Sequence, residues 1–250
     1  MHENLSIQDI LEWYIEAGVD ETCPNVFHPI VKQNEISQKP MIRRATTDLA
    51  QDFIASKQSA RDICTKAQTL AELKKIVADF DGCALKLTAK STVFGAGNEK
   101  AELMFIGEAP GADEDAQGIP FVGRSGRLLT DMIEKGMKIS RDEVYICNVL
   151  RCRPPQNRNP LPEEAAFCRP FMEAQIRIVN PEFICCLGAV AAKNLLQTDT
   201  SIGKLRGTIH NWQGYKVVCT YHPSYLLRNP PAKKDAWIDL QLLMRAMGLM

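Results

Sequence analysis

The order of apolar and polar positions divides the chain into a helical start, a weakly patterned stretch and a long regular domain. Residues 5–18 (LSIQDILEWYIEAG) carry apolar positions at helical spacing, with Ser6 as a cap and Gly18 as a stop. Over residues 20–60 the period is lost among scattered prolines and charges, which predicts a linker or loosely ordered arm. Helical spacing resumes at 68–79, where Leu70, Leu73, Ile76 and Val77 share one face, and the pattern changes again near Gly82. The expected organisation is an N-terminal helix-and-linker extension over 1–65 and a main domain over 66–250. From residue 100 onward, apolar runs of strand length at 103–106, 144–149, 183–187 and 216–221 are set among helical stretches near 125–136, 162–179, 188–197 and 233–247. That alternation predicts an α/β domain whose mostly parallel sheet is covered on both faces. In such a sheet a ligand binds beyond the carboxyl ends of the strands.

Composition narrows the class without naming a ligand. The chain has 250 residues, 45% hydrophobic and 24% charged, which suits one sizeable globular core. Thirty basic residues balance thirty acidic ones, so any surface for nucleic acid depends on local clustering of Arg and Lys. No apolar run approaches the roughly 20 residues of a membrane helix. The start, Met1-His2-Glu3-Asn4, lacks the charge and apolar pattern of a secretory signal, and a cytoplasmic location is expected. Nine cysteines in a reducing compartment are not expected to form disulfides. Cys147, Cys185, Cys186 and Cys219 sit inside the strand-like runs and read as buried apolar fillers.

The segments that follow the strands hold the candidate chemistry. After the first comes Gly107-Glu108-Ala109-Pro110-Gly111, then acidic residues 113–115 and Pro120-Phe121-Val122-Gly123. This is neither a P-loop nor a dinucleotide fingerprint, and its acids would repel a phosphate chain. A flat, neutral ligand suits it better, although a plain helix start capped by Asp113 and Asp115 explains the same residues. The second strand ends in Asn148, whose amide can present a donor and an acceptor to one edge of a base. Behind it, residues 151–158 (RCRPPQNR) form a basic, proline-rich stretch suited to phosphates, or simply an exposed loop. The last strand leads into His222-Pro223-Ser224-Tyr225-Leu226-Leu227-Arg228. A His here can donate to an oxygen that gains charge as a bond breaks, and apolar wedges beside basic groups pry bases apart.

Taken together, Gly-Glu-Ala-Pro-Gly, Pro120–Gly123, Asn148 ahead of Cys152-Arg153-Pro154-Pro155, and His222-Pro223-Ser224 resemble the family 4 uracil-DNA glycosylases over about residues 80–245. The resemblance implies a three-layer α/β/α sandwich with a four-stranded parallel sheet that hydrolyses the N-glycosidic bond between uracil and deoxyribose in DNA; a monomer is expected. It implies that Glu108, Ala109 and Pro110 form a uracil-binding turn, that Glu114 lines the pocket, and that Phe121 stacks on the extruded base. Asn148 would read the Watson–Crick edge and His222 would face the uracil O2, with Glu108, Asn148 and His222 as the catalytic set. Arg153, Arg158, Tyr225, Leu226, Leu227 and Arg228 would face the DNA. Relatives in another branch carry an Asp to orient water where this chain has Ala109, which leaves water activation weak or assigned to Glu108 or Glu114.

The family also implies a [4Fe–4S] cluster on four cysteines. Cys83, Cys152 and Cys168 match three of them, and the fourth position is Phe80, which cannot ligate iron. Three arrangements stay open. A cluster held by three cysteines plus Cys64 or an external ligand is one, a three-iron cluster another, and loss of the cluster the third. Two other activities compete with hydrolysis. One is a uracil-DNA binder, including a relative that traps the sugar covalently, but the basic insert of that relative is missing before His222. The other is a polymerase-associated or scaffold domain on the same fold.

Overall fold

The computed structural model describes residues 60–250, so the expected helix at 5–18 and most of the expected 1–65 extension lie outside the described residues. Six strands form one sheet: β1 (Ala96–Gly97), β2 (Leu103–Gly107), β3 (Tyr145–Asn148), β4 (Phe183–Leu187), β5 (Ile209–Trp212) and β6 (Tyr215–Thr220). Their order is β1-β3-β2-β4-β6-β5. The inner four, β3-β2-β4-β6, are parallel, as expected. The sheet differs from expectation at its edges, where β1 and β5 pair antiparallel. Neither carries a buried apolar run: β1 is two residues long, and β5 alternates exposed and half-buried positions. Edge strands need bury only one face, so their pattern is weak.

The helices are α1 (Leu70–Asp79), α2 (Ala112–Gln117), α3 (Arg124–Asp131), α4 (Pro162–Val179), α5 (Ala189–Leu196), α6 (Ile202–Leu205), α7 (Pro223–Arg228) and α8 (Lys233–Ala246). Local chemistry sets their ends. The Thr69 hydroxyl accepts the Glu72 N–H while the Glu72 carboxylate accepts those of Gln68 and Thr69, a capping box that starts α1. Pro162 opens α4 at a position where a missing N–H costs nothing, and the Glu164 carboxylate accepts the Leu161 N–H at 2.8 Å. The helix expected near 125–136 is interrupted, since α3 passes into a π turn over Met132–Met137 and stops at left-handed Lys138. No helix among the described residues is long and apolar enough to cross a membrane.

Side chains of the parallel strands alternate between two cores. Met104, Ile106, Cys147, Ile184, Cys186, Val217 and Cys219 pack on one face with α1, α4 and α5. Leu103, Phe105, Ile146, Phe183, Cys185, Leu187 and Val218 pack on the other with α3 and α8. The period of two puts both faces out of water, which makes the sheet the middle layer of three. The four strand cysteines are buried in these layers, as the filler reading expects.

Candidate active site

β2 lies between β3 and β4, to which the chain runs in opposite directions across the sheet, and the crevice at such a switch point is open to a ligand. A cavity of about 680 Å³ lies there. Its walls are the turn after β2 (Glu108–Glu114), Phe121, Asn148 at the end of β3, Gly188–Val190 after β4, and His222, Ser224, Tyr225 and Arg228 after β6. Asn148 pairs in register with Gly107, the last residue of β2. A Cβ on Gly107 would overlap Asn148 Oδ1 and stand 2.5 Å from the Phe121 ring, so a glycine lets these two groups meet.

Asn148 is 2% exposed, and its Oδ1 has no hydrogen-bond partner. A buried acceptor without a partner costs about 1–3 kcal/mol, which a ligand N–H would return. Phe121 is buried beside it, its ring centroid 5.7 Å from that of His222. The Phe121 backbone is left-handed, with φ of 55°. That conformation costs a residue with a side chain about 1–2 kcal/mol. Arg141, just ahead of β3, holds it in place: Nη2 donates to the carbonyls of Pro120 and Phe121, both at 3.0 Å, and Nη1 to Thr130 Oγ1 at 2.8 Å. Sequence reasoning missed Arg141, because nothing in the pattern near 141 announces that it reaches back to the 120–121 turn. Arg141→Ala is expected to lower kcat/KM for the site's substrate roughly 10- to 100-fold by loosening the ring. Steady-state kinetics of that variant, of Phe121→Leu and of the double mutant check it, and the double mutant should lose less than the product of the two single losses.

His222 caps α7. Its Nδ1 accepts the Ser224 N–H at 3.1 Å and lies 2.8 Å from Ser224 Oγ. A backbone N–H can only donate, so the imidazole proton sits on Nε2. Burial, reinforced by the Arg228 charge, brings the His222 pKa down to about 4. The ring is therefore a neutral donor at physiological pH. Below it, Thr220 ends β6 with its hydroxyl donating to the buried Asp239 at 2.8 Å, and Arg206 donates to the same oxygen at 3.1 Å. This anchor from α8 fixes the strand end that carries His222.

Glu108 and Glu114, two of the three acids in the turn after β2, have different surroundings. Both Glu114 oxygens are engaged: Oε2 accepts the Gly111 N–H, and Oε1 those of Val122 and Gly123, all at 3.0 Å. Glu114 lines the cavity but braces the Gly107–Gly111 turn against the segment that follows Phe121. Glu108 is half-buried with no such bonds, and burial raises its pKa against the opposing pull of Arg228. Ala109 and Pro110 complete the wall beside it.

The expected DNA-facing residues divide. Tyr225 and Arg228 are exposed at the cavity mouth, and Leu227 is half-exposed beside them. Leu226 corrects the expectation: it is 1% exposed and packs on Ala232 and Ala236, because one turn of α7 cannot present three consecutive side chains outward. Arg158 lies at the cavity wall but forks onto Glu164, which neutralises much of its charge. Arg153 is half-exposed and donates to Asn157 Oδ1 at 2.7 Å. Gly188–Val190, the third strand-end segment, was passed over in the sequence, although strand-end placement alone points to it.

Cys83, Cys152 and Cys168 are buried together, lining one cavity of about 20 Å³. The Cys83 and Cys168 thiols hydrogen-bond to each other. Phe80 lines the same cavity and supplies no ligand. Cys64, an alternative fourth thiol, opens instead onto a separate cavity with Arg61, Trp212 and Tyr215, and burial raises its pKa to about 12. Among the described residues, no three His, Cys, Asp or Glu side chains are grouped to hold a metal ion. Three thiols and a phenyl ring do not fit a group that requires four thiolates.

Comparison with known proteins agrees with this architecture. The Uracil DNA glycosylase superfamily matches residues 94–241. The type-4 uracil-DNA glycosylase of Thermotoga maritima is 47% identical over 167 residues, spanning 64% of this chain and 86% of that protein. That of Saccharolobus solfataricus is 42% identical over 174 residues, spanning 66% and 81%. That of Archaeoglobus fulgidus is 38% identical over 182 residues, spanning 70% and 91%. The family match takes in the four parallel strands and each segment that walls the cavity, and the chain belongs to the uracil-DNA glycosylase superfamily, in its type-4 branch.

Proposed function

We propose that the chain removes uracil from DNA by hydrolysing its N-glycosidic bond, the first step of base-excision repair, on a nucleotide flipped into the cavity beyond β2, β3, β4 and β6. The observation that carries this reading is the buried, unpartnered Oδ1 of Asn148 beside the Phe121 ring. Uracil offers an N3–H flanked by two carbonyl oxygens. Its N3–H satisfies Oδ1, the Asn148 amide N–H donates to O4, and the flat ring lies on Phe121. Extruding the base from a duplex costs a few kcal/mol, least where pairing is already weak.

Bond cleavage leaves an oxocarbenium-like sugar and a uracil anion. Charge develops on the uracil oxygens, where the Asn148 amide and the His222 Nε2–H can meet it. Donors fixed in advance at such a position are worth roughly 3–4 kcal/mol each. Departure of a stabilised anion carries most of the rate enhancement. Glu114 is fully engaged, so Glu108 is the acid available to orient water and to face the cationic sugar. No step passes through an iron–sulfur cluster. Tyr225, Leu227 and Arg228 at the mouth support the strand from which the base is drawn.

The Glu108 role has a pH signature. Its carboxyl takes up a proton above the ordinary carboxylate value, so the active anion is lost as pH falls through that raised pKa. A rate that declines on the acid side is expected, together with a roughly 10- to 100-fold lower kcat and no acid limb in Glu108→Gln. Single-turnover rates against pH for both proteins check this.

Incubating the protein with a uracil-containing single-stranded oligonucleotide, followed by alkali, tests the function. Strand cleavage at the uracil supports hydrolysis. A denaturant-resistant protein–DNA band would mean covalent trapping, and a shifted but intact strand would mean binding alone; either overturns the reading.

A further inference from the structure

We infer that the pocket of Cys83, Cys152 and Cys168 is an iron-free joint, closed by the Phe80 ring in the place of a fourth thiol. Phe80 ends α1, three residues before Cys83, which is the spacing of a Cys-x-x-Cys pair. Its ring turns inward and packs edge-on against Phe171 of α4, centroids 5.1 Å apart and planes at 65°. A Cβ on Gly82 would overlap the same ring, so the chain between Phe80 and Cys83 folds closely around it. The pocket that remains is about 20 Å³. By that measure it has room for about one water.

Two further observations agree. The Cys83 and Cys168 thiols are hydrogen-bonded to each other, so they already have partners without iron. No three potential ligands among the described residues are grouped for a metal. Val77, Phe80 and Phe171 form the apolar side of the wall, and Lys86, Thr92 and Arg151 the polar side. Each thiol comes from a different segment: Cys83 follows α1, Cys152 lies in the loop after β3, and Cys168 is on α4. A cluster at that junction would staple the three. Here an aromatic ring does the same by packing, and it supports the 153–158 loop from below with no demand for iron.

The test is chemical and does not depend on glycosylase activity. The full chain is purified without air from an iron-replete host, and iron and acid-labile sulfide are measured. The expected wild-type protein is colourless and folded, with iron far below one atom per chain. A brown protein with iron and sulfide in stoichiometric amounts would overturn the inference. Phe80→Cys completes the four-thiol set and is expected to acquire iron, sulfide and a brown colour in the same preparation. A folded Phe80→Cys that stays colourless would show that Phe80 is not what keeps the cluster out. Cys152→Ala, measured in parallel, is expected to keep its fold, as a small buried truncation does. Collapse of the fold in that variant would contradict a joint held by packing.

Discussion

Asn148→Ala is expected to lower kcat for uracil excision by about 10²–10³-fold while leaving affinity for undamaged DNA unchanged. The size follows from the two things the side chain does. In the proposed reaction it pairs the base edge through an acceptor that is otherwise orphaned, and it sets a donor where negative charge would appear. Losing one preorganised donor at a developing oxyanion costs about 2.7–4 kcal/mol, which is that rate factor. The ground-state pairing is worth less, because the flipped base exchanges it with water. Loss should therefore fall mainly on kcat and less on KM. Undamaged DNA is expected to stay outside the cavity, so its binding reports the outer surface. Single-turnover excision and a binding titration on matched oligonucleotides separate the two. A wild-type rate in Asn148→Ala would remove the residue from the reaction.

His222→Ala is expected to cost a comparable factor in kcat, for a related reason with a distinct pH signature. The Ser224 backbone fixes the ring so that Nε2 carries the proton, and burial holds the imidazole uncharged down to about pH 4. The sign follows from that lowered pKa: the ring is neutral above it and gains charge only below it. Between pH 5 and 8 the wild-type rate should show no inflection from His222, in contrast to the break near 6.5 of an unperturbed histidine. An inflection near 6.5 that disappears in His222→Gln would contradict a neutral donor. Such a donor has an advantage here, because an imidazolium would cost more to bury and would protonate the leaving group instead of holding it as an anion.

The strongest signals in the chain were those set by burial on both sides. The parallel strands and α4 were legible because the inner strands are dry along their length, Tyr215 and Lys216 at the start of β6 excepted, and because Pro162 and Glu164 mark a helix start. The edge strands β1 and β5 were not, since half their side chains meet water and the period fades. Asn148, Phe121 and His222 were legible as a set because strand ends in a parallel sheet point one way. Arg141 was not, since its partners are carbonyls 20 and 21 residues away and a carbonyl leaves no mark in the sequence. Glu114 was placed correctly at the cavity wall, yet its backbone bonds make it a brace, and only geometry distinguishes a brace from a free acid. Leu226 looked like part of an apolar wedge until the turn of α7 faced it inward. Phe80 was legible as a missing ligand, but that its ring fills the pocket is a matter of packing.

The most direct measurement is the identity of the released product. A single-stranded oligonucleotide with one uracil is incubated with the protein at neutral pH, and the small-molecule fraction is analysed by mass spectrometry. Free uracil is predicted in amounts equal to the abasic sites formed, with the protein unmodified. Intact uracil in the strand, or a sugar covalently attached to the protein, would contradict the account.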